Sequence, residues 1–160
     1  MARTTKHSAL ILAAVLLLHA LPQSVQAQLS IEGAWSVNEW TRDGQTTSPA
    51  QPGLFIFTST HYSAFFVRQD EARAVAAVAG PNGMTDAEKA VAYDEFTANT
   101  GRYELDGNKL TTRAYVAKGP GFMASWPEYT VNRSGDTLTL TFANGNVATL
   151  TRREGQAPPG

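Results

Sequence analysis

From Ile31 onward, apolar and polar residues alternate in short runs broken by turn-forming residues, the pattern of strands buried on one face. The first run covers residues 33–40 and stops at Arg42-Asp43-Gly44. A loop containing Pro and Ser over 46–52 leads to a nearly continuous apolar run at 54–58. An alternating run at 61–68 follows directly, after the tight connection Ser59-Thr60. Runs at 102–105 and 109–117 flank Asp106-Gly107-Asn108. The last third repeats the rhythm at 128–132, 137–142 and 147–153, with Ser134-Gly135 and Asn144-Gly145 between them. Asp-Gly and Asn-Gly accept the positive φ of two-residue hairpin turns, so these runs predict consecutive hairpins.

One region departs from this pattern. Residues 70–79 and 85–99 are alanine-rich. Thr85 and Glu88 have the spacing of a capping box, which predicts a helix over 85–99 with Val91 and Phe96 facing a core. The stretch 70–79 reads as a shorter helix or a mobile lid, ended by Gly80-Pro81-Asn82-Gly83. Roughly eight short strands joined by hairpins predict a barrel or a sandwich, and a meander that closes on itself leaves no exposed strand edge. The expected fold is therefore mainly β, an eight-stranded up-and-down antiparallel barrel. Its helical insert would cross one end or pack against the wall.

The amino terminus changes the picture of where the domain starts. Arg3 and Lys6 precede an apolar run from Ala9 to Leu18, no acidic residue occurs before Glu32, and Val25-Gln26-Ala27 places small residues at a cleavage site. This is the pattern of a secretory signal over 1–27 cut after Ala27, and its apolar core is shorter than the ~20 residues that span a bilayer. A barrel domain over 28–155 and a disordered tail over 156–160 are expected to remain, in the periplasm or outside the cell. No cysteine follows the cut, so the product is expected to be free rather than lipid-anchored. Residues 28–160 carry 11 Lys and Arg against 14 Asp and Glu. That weak acidity gives no electrostatic reason to expect nucleic acid or an anionic membrane as a partner, and with no second apolar stretch of spanning length no stable membrane insertion is expected. The absence of cysteine removes thiol chemistry, iron–sulfur clusters and cysteine-ligated zinc.

Several short motifs then point to a family. Gly33-Ala34-Trp35 matches the Gly-x-Trp that opens the first strand of lipocalins and related calycin barrels. It is followed by the Gly-led strand Gly53-Leu54-Phe55-Ile56-Phe57, then His61-Tyr62-Ser63-Ala64, the insert, Gly101-Arg102-Tyr103-Glu104, and a Gly-Asp-x-Leu-x-Leu ending over 135–140. In this order, over residues 31–153, the chain resembles the bacterial lipocalin-like domain family. The resemblance implies an eight-stranded barrel and no particular reaction. It also implies that Trp35 packs at the closed end, next to Gly33 and under an arginine of the last strand, Arg152 or Arg153.

Candidate chemistry is sparse. His7 and His19 lie in the signal, which leaves His61 as the one imidazole for catalysis or metal binding, beside a tight turn. Zinc needs several such ligands, so no metal site is expected. Neither Gly-x-Ser-x-Gly nor Ser-x-x-Lys occurs. The pairs Asp70/Glu71 and Asp94/Glu95 are sequence neighbours that point to different sides of an element. Gly80 to Gly83 and Gly119-Pro120-Gly121 lack the Lys-Ser/Thr of a phosphate loop, and no cofactor motif is present.

What remains is an aromatic inventory that includes Phe55, Phe57, Tyr62, Phe66, Tyr115, Trp126 and Tyr129. Along 109–117 one face holds Leu110, Thr112, Ala114 and Val116 and looks like packing, while Thr111, Arg113 and Tyr115 form a mixed face. Along 61–68 the mixed face is Tyr62, Ala64, Phe66 and Arg68. If both mixed faces turn inward, Tyr62, Phe66, Arg68, Arg113 and Tyr115, with Trp126 nearby, enclose an aromatic pocket with two guanidiniums suited to an amphipathic carboxylate. If they turn outward, the arginines are surface residues. Three functions follow. The barrel could bind a small hydrophobic or amphipathic ligand, act as a motif-less isomerase or cyclase, or inhibit an envelope hydrolase through the glycine-rich segment 117–126. Binding is the expected role, and the interior of the barrel decides among them.

Overall fold

The computed structural model describes residues 29–71, 73 and 83–153. The expected signal over 1–27, the tail over 156–160 and residues 72 and 74–79 of the predicted lid lie outside the described residues. The strands are β1 (Gly33–Arg42), β2 (Gln45–Thr47), β3 (Gly53–Phe57), β4 (His61–Val67), β5 (Phe96–Asp106), β6 (Lys109–Ala117), β7 (Glu128–Ser134), β8 (Thr137–Phe142) and β9 (Val147–Arg152). The helices are α1 (Asp86–Asp94) and the single turn α2 (Pro120–Met123).

All pairings are antiparallel, neighbours in space are nearly always neighbours in sequence, and β1 pairs with β9 to close the sheet. Eight strands form the barrel. β2 is a three-residue spur on the far end of β1, overlapping the start of the segment 46–52 expected to be loop. The hairpin glycines behave as their sequence predicts: Gly107 sits at φ 57° between β5 and β6, where any side chain would be strained.

Alternation sends one face of each barrel strand inward. Trp35 and Val37 of β1, Phe55 and Phe57 of β3, Tyr62 and Ala64 of β4, Leu110 of β6, Val131 of β7, Leu138 and Leu140 of β8, and Ala148 and Leu150 of β9 form one core. Two bulges interrupt the count. Val37 pairs with Leu150 but Glu39 with Thr149, so Asn38 is an extra residue and Trp40 returns to the interior. On β6, Gly101 of β5 pairs with Ala114 but Thr100 with Val116, so Tyr115 is extra. Val116, expected to pack, is consequently 64% exposed, and Ala117 turns to the cavity instead.

The helix is shorter than predicted. The capping box forms as expected, Thr85 accepting from the Glu88 amide and Glu88 accepting from Thr85. The chain leaves the helix at Glu95, however, and residues 96–99 join β5 in a ladder with β4, Val67 against Phe96 and Phe65 against Ala98. Phe96, Thr97, Asn99 and Thr100 are poorer helix formers than the alanines before them, and the open edge of β4 supplies the hydrogen bonds they need. No residue of α1 is buried and Val91 is 52% exposed, so the expected core contact of Val91 is not made.

Candidate ligand-binding site

The two barrel ends differ in chemistry. At the closed end, Trp35 is fully buried and donates from Nε1 to the carbonyl of Ile31 at 2.8 Å. The Arg152 guanidinium lies 4.9 Å from the ring centroid and that of Arg133 5.4 Å. Each also holds the segment that seals this end, Arg152 donating to the Glu32 carbonyl and Arg133 to that of Ser30, both at 2.6 Å. Of the two arginines considered for Trp35, Arg152 is the one over the ring, while Arg153 donates to Ser36 Oγ. Gly33 pairs with Phe57 one step from Trp35.

The other end opens into a cavity of about 530 Å³, within the ~300–1,000 Å³ of small-molecule sites. Trp40, Phe66, Phe96, Phe122 and Phe142 supply its aromatic wall, and Arg42, Arg68 and Lys118 its cations. Trp40 packs 5.2 Å from Phe66 and 5.4 Å from Phe142, with the Arg42 guanidinium 4.7 Å from its ring centroid. Arg42 also pairs with Asp70 at 2.6 Å. Lys118 donates to the carbonyls of Tyr93 and Phe96 and sits over both rings. Partial burial lowers its pKa below the ordinary lysine value. Asp94 opposes that shift and Arg68 adds to it, so two cations share this rim. Among the described residues the Arg68 side chain makes no ion pair.

Below the rim a chamber of about 70 Å³ reaches into the core, sharing Phe66, Thr97, Asn99, Phe122 and Phe142 with the outer cavity. Its deeper wall is Phe55, Phe57, Leu110 and Leu140, with three hydroxyl residues, Tyr62, Thr112 and Tyr129. Tyr62 is 5% and Thr112 3% exposed. Among the described residues no group meets hydrogen-bond geometry with either hydroxyl or with the buried Trp40 Nε1. Burial pushes the Tyr62 phenol up to about 12 and raises that of Tyr129. The Thr112 hydroxyl, the donor nearest to both phenols, offsets part of each rise.

The inward and outward faces resolve the sequence alternatives. Tyr62 and Phe66 face the interior and Arg68 stands at the rim, so the β4 face contributes to the cavity. The β6 face does not. Leu110, Thr112 and Ala114 occupy the inner side, so Arg113 and Tyr115 point to solvent. Arg113 and Arg102 flank the half-exposed Trp126 outside the barrel, 4.6 and 5.8 Å from its ring centroid, and Tyr115 contacts His61 at 5.9 Å. The pocket expected from two inward mixed faces is thus corrected: Arg113, Tyr115 and Trp126 lie on the outer wall. Alternation along a strand separates two faces without saying which one is inside. The second cation of the mouth comes instead from Lys118, just beyond β6, and a third from Arg42 at the end of β1. His61 is exposed at the first position of β4, its Nδ1 2.8 Å from Thr60 Oγ1. Segment 117–126, read as a loop for insertion into a partner, folds in part into α2 and lends Phe122 to both levels of the cavity. Among the described residues no helix is long and apolar enough to cross a membrane.

The Tyr62 shift makes a prediction of definite sign. Below pH 10 the phenol is protonated folded and unfolded; between 10 and about 12 the unfolded chain loses the proton first, so stability falls as pH rises through this window. Tyr62→Phe is expected to remove roughly 2 kcal/mol of that loss. At pH 7 it should leave stability unchanged or slightly raised, because it deletes an unpartnered hydroxyl. Urea unfolding of both proteins at about pH 7, 10 and 12, which brackets the window, checks it; parallel pH curves would contradict it.

A closed eight-stranded antiparallel barrel, sealed at one end by a tryptophan under arginines and open at the other, is the architecture of lipocalin-type proteins. Residues 32–156 match the lipocalin-like domain, and the chain belongs to that family. Among solved structures it is similar to a lipocalin-like protein from Bacteroides uniformis, at 14% identity over 76% of this chain and 97% of that one, with a TM-score of 0.47. It is also similar to an uncharacterized protein from Bacteroides eggerthii, at 11% identity over 76% of this chain and 98% of that one, with a TM-score of 0.46. No curated protein matches the chain.

Proposed function

We propose that the barrel binds one small amphipathic anion, with its acid group at the Arg42, Arg68 and Lys118 rim and its apolar body between the aromatic walls. The observation that carries this reading is the change along the barrel axis, from a rim with two cations close together to an interior of aromatic and aliphatic side chains. A cation pair at a half-open mouth is stabilised by an anion placed between its members, and the wall beneath offers apolar surface worth roughly 25 cal/mol per Å² covered. The basic, then apolar, then small-residue pattern of 1–27 supports delivery through the secretory route, so the barrel meets this ligand in the periplasm or outside the cell.

Calorimetric titration of the protein with a long-chain carboxylic acid and with the alcohol of the same chain tests the reading. The acid should bind more tightly, with stoichiometry near one, and Arg68→Gln should weaken it about fivefold while leaving the alcohol unchanged. Equal affinities for acid and alcohol, or no heat from either, would defeat it.

A further inference from the structure

The floor of the inner chamber carries chemistry that an apolar tail does not use. Tyr62 and Thr112 are each more than nine-tenths buried, both line the chamber, and among the described residues neither hydroxyl has a partner in hydrogen-bond geometry. A buried hydroxyl without a hydrogen bond loses its hydration and gains nothing in return. Phenylalanine and valine would fill the same space without that cost. The polar atoms are also not isolated: Thr112 stands near both the Tyr62 and the Tyr129 phenols, so three hydroxyls converge on one level of the barrel.

We infer that this cluster receives a neutral hydrogen-bond acceptor, a carbonyl oxygen at the end of the ligand remote from its acid group, so that the barrel selects an oxo acid over a plain one. The inference rests on the reading proposed above. A phenol donates its proton, and a carbonyl oxygen has two lone pairs, which matches donation from Tyr62 and from the Thr112 hydroxyl. A second carboxylate does not fit there. The charges that would pay for its burial stand at the rim, and hydroxyls alone do not offset the desolvation of an anion. Along β4, Tyr62 and Arg68 are six positions apart, roughly 20 Å of strand, so a single elongated molecule is needed to reach both. The chamber, about 70 Å³ against about 530 Å³ for the outer cavity, suits the slim end of a chain.

The test compares chain-matched pairs of carboxylic acids across a medium- to long-chain series, one member plain and the other with a ketone next to its terminal methyl. Each is titrated calorimetrically into the wild-type protein, Tyr62→Phe and Thr112→Val, with thermal unfolding to establish that each variant is folded. At the chain length that fits, the wild type should prefer the oxo acid roughly tenfold. Each variant should lose most of that preference, its affinity for the oxo acid falling by a larger factor than its affinity for the plain acid. The carbonyl stretch of an isotopically labelled oxo acid should lie at lower frequency bound to the wild type than to Tyr62→Phe. No oxo preference at any chain length overturns the inference and leaves the binding of amphipathic anions standing, the hydroxyls then serving a buried water. A preference that survives in both variants overturns it too, since the selectivity then arises elsewhere. Failure of both acids to bind at every length overturns the parent reading and this one with it.

Discussion

Trp35→Ala is expected to destabilise the protein by about 3–5 kcal/mol, with a melting temperature lower by more than about 10 °C. Trp35 heads the fully buried side chains by size, and it sits where β1 meets both β3 and β9, opposite Phe55 and Arg152. Removing the indole opens a cavity beneath two guanidiniums and deletes the Nε1 donor to Ile31. The loss does not stay local. Ile31 is itself buried, and its segment is tied down by that donor and by Arg133 and Arg152, whose positions are set by the ring they cover. Trp35→Phe separates the contributions, because it keeps much of the apolar volume and loses the hydrogen bond and the better cation–π face. It should cost about 1–2 kcal/mol. Urea unfolding of the three proteins gives the order directly. A Trp35→Phe loss as large as that of Trp35→Ala would mean that the indole nitrogen, not the packing, secures this end.

The closed end was legible in the sequence because its parts are local motifs. Gly33-Ala34-Trp35 marks the start of β1, and the Asp-Gly and Asn-Gly turns place the hairpins that bring β9 back to it. The open end was not, for three physical reasons. Its cations come from the far ends of β1, β4 and β6, which only closure of the sheet brings together. Asn99, which lines both levels of the cavity, lies in a segment whose alanine content argues for helix until the free edge of β4 is taken into account. The bulges at Asn38 and Tyr115 shift the alternation by one, so a count along β6 that places Leu110, Thr112 and Ala114 correctly misplaces Val116. The unpartnered hydroxyls are invisible for a related reason. Thr112 reads as an ordinary strand residue, and its meeting with Tyr62 and Tyr129 spans three strands.

Gly101→Ala is the second large effect, and its cause is the backbone. A Cβ at Gly101 would lie 2.0 Å from the Arg113 carbonyl oxygen and 2.7 Å from the Ala114 Cα, atoms of the adjoining strand that no side-chain rotation can clear. Relief requires β5 and β6 to separate at the position where their register already shifts around Tyr115. The expected cost is about 3 kcal/mol or more, the upper range for overpacking. Gly53→Ala offers a graded comparison, since its Cβ would meet Val37 Cγ2 at 2.5 Å and Phe66 Cβ at 2.7 Å, contacts that side chains and a small strand shift can partly yield. It should cost about 1–2 kcal/mol. Gly121→Ala has nothing within 4 Å and should stay within about 0.5 kcal/mol of wild type. The same displacement reaches the ligand site, because Thr112 rides on the stretch of β6 that must move, while the rim cations Arg42 and Arg68 do not. Gly101→Ala should therefore weaken ligand binding in protein that is still folded, and it should speed amide exchange first along β5 and β6. If the three alanine variants unfolded at the same urea concentration, the close approach of β5 and β6 could not be what demands glycine at position 101.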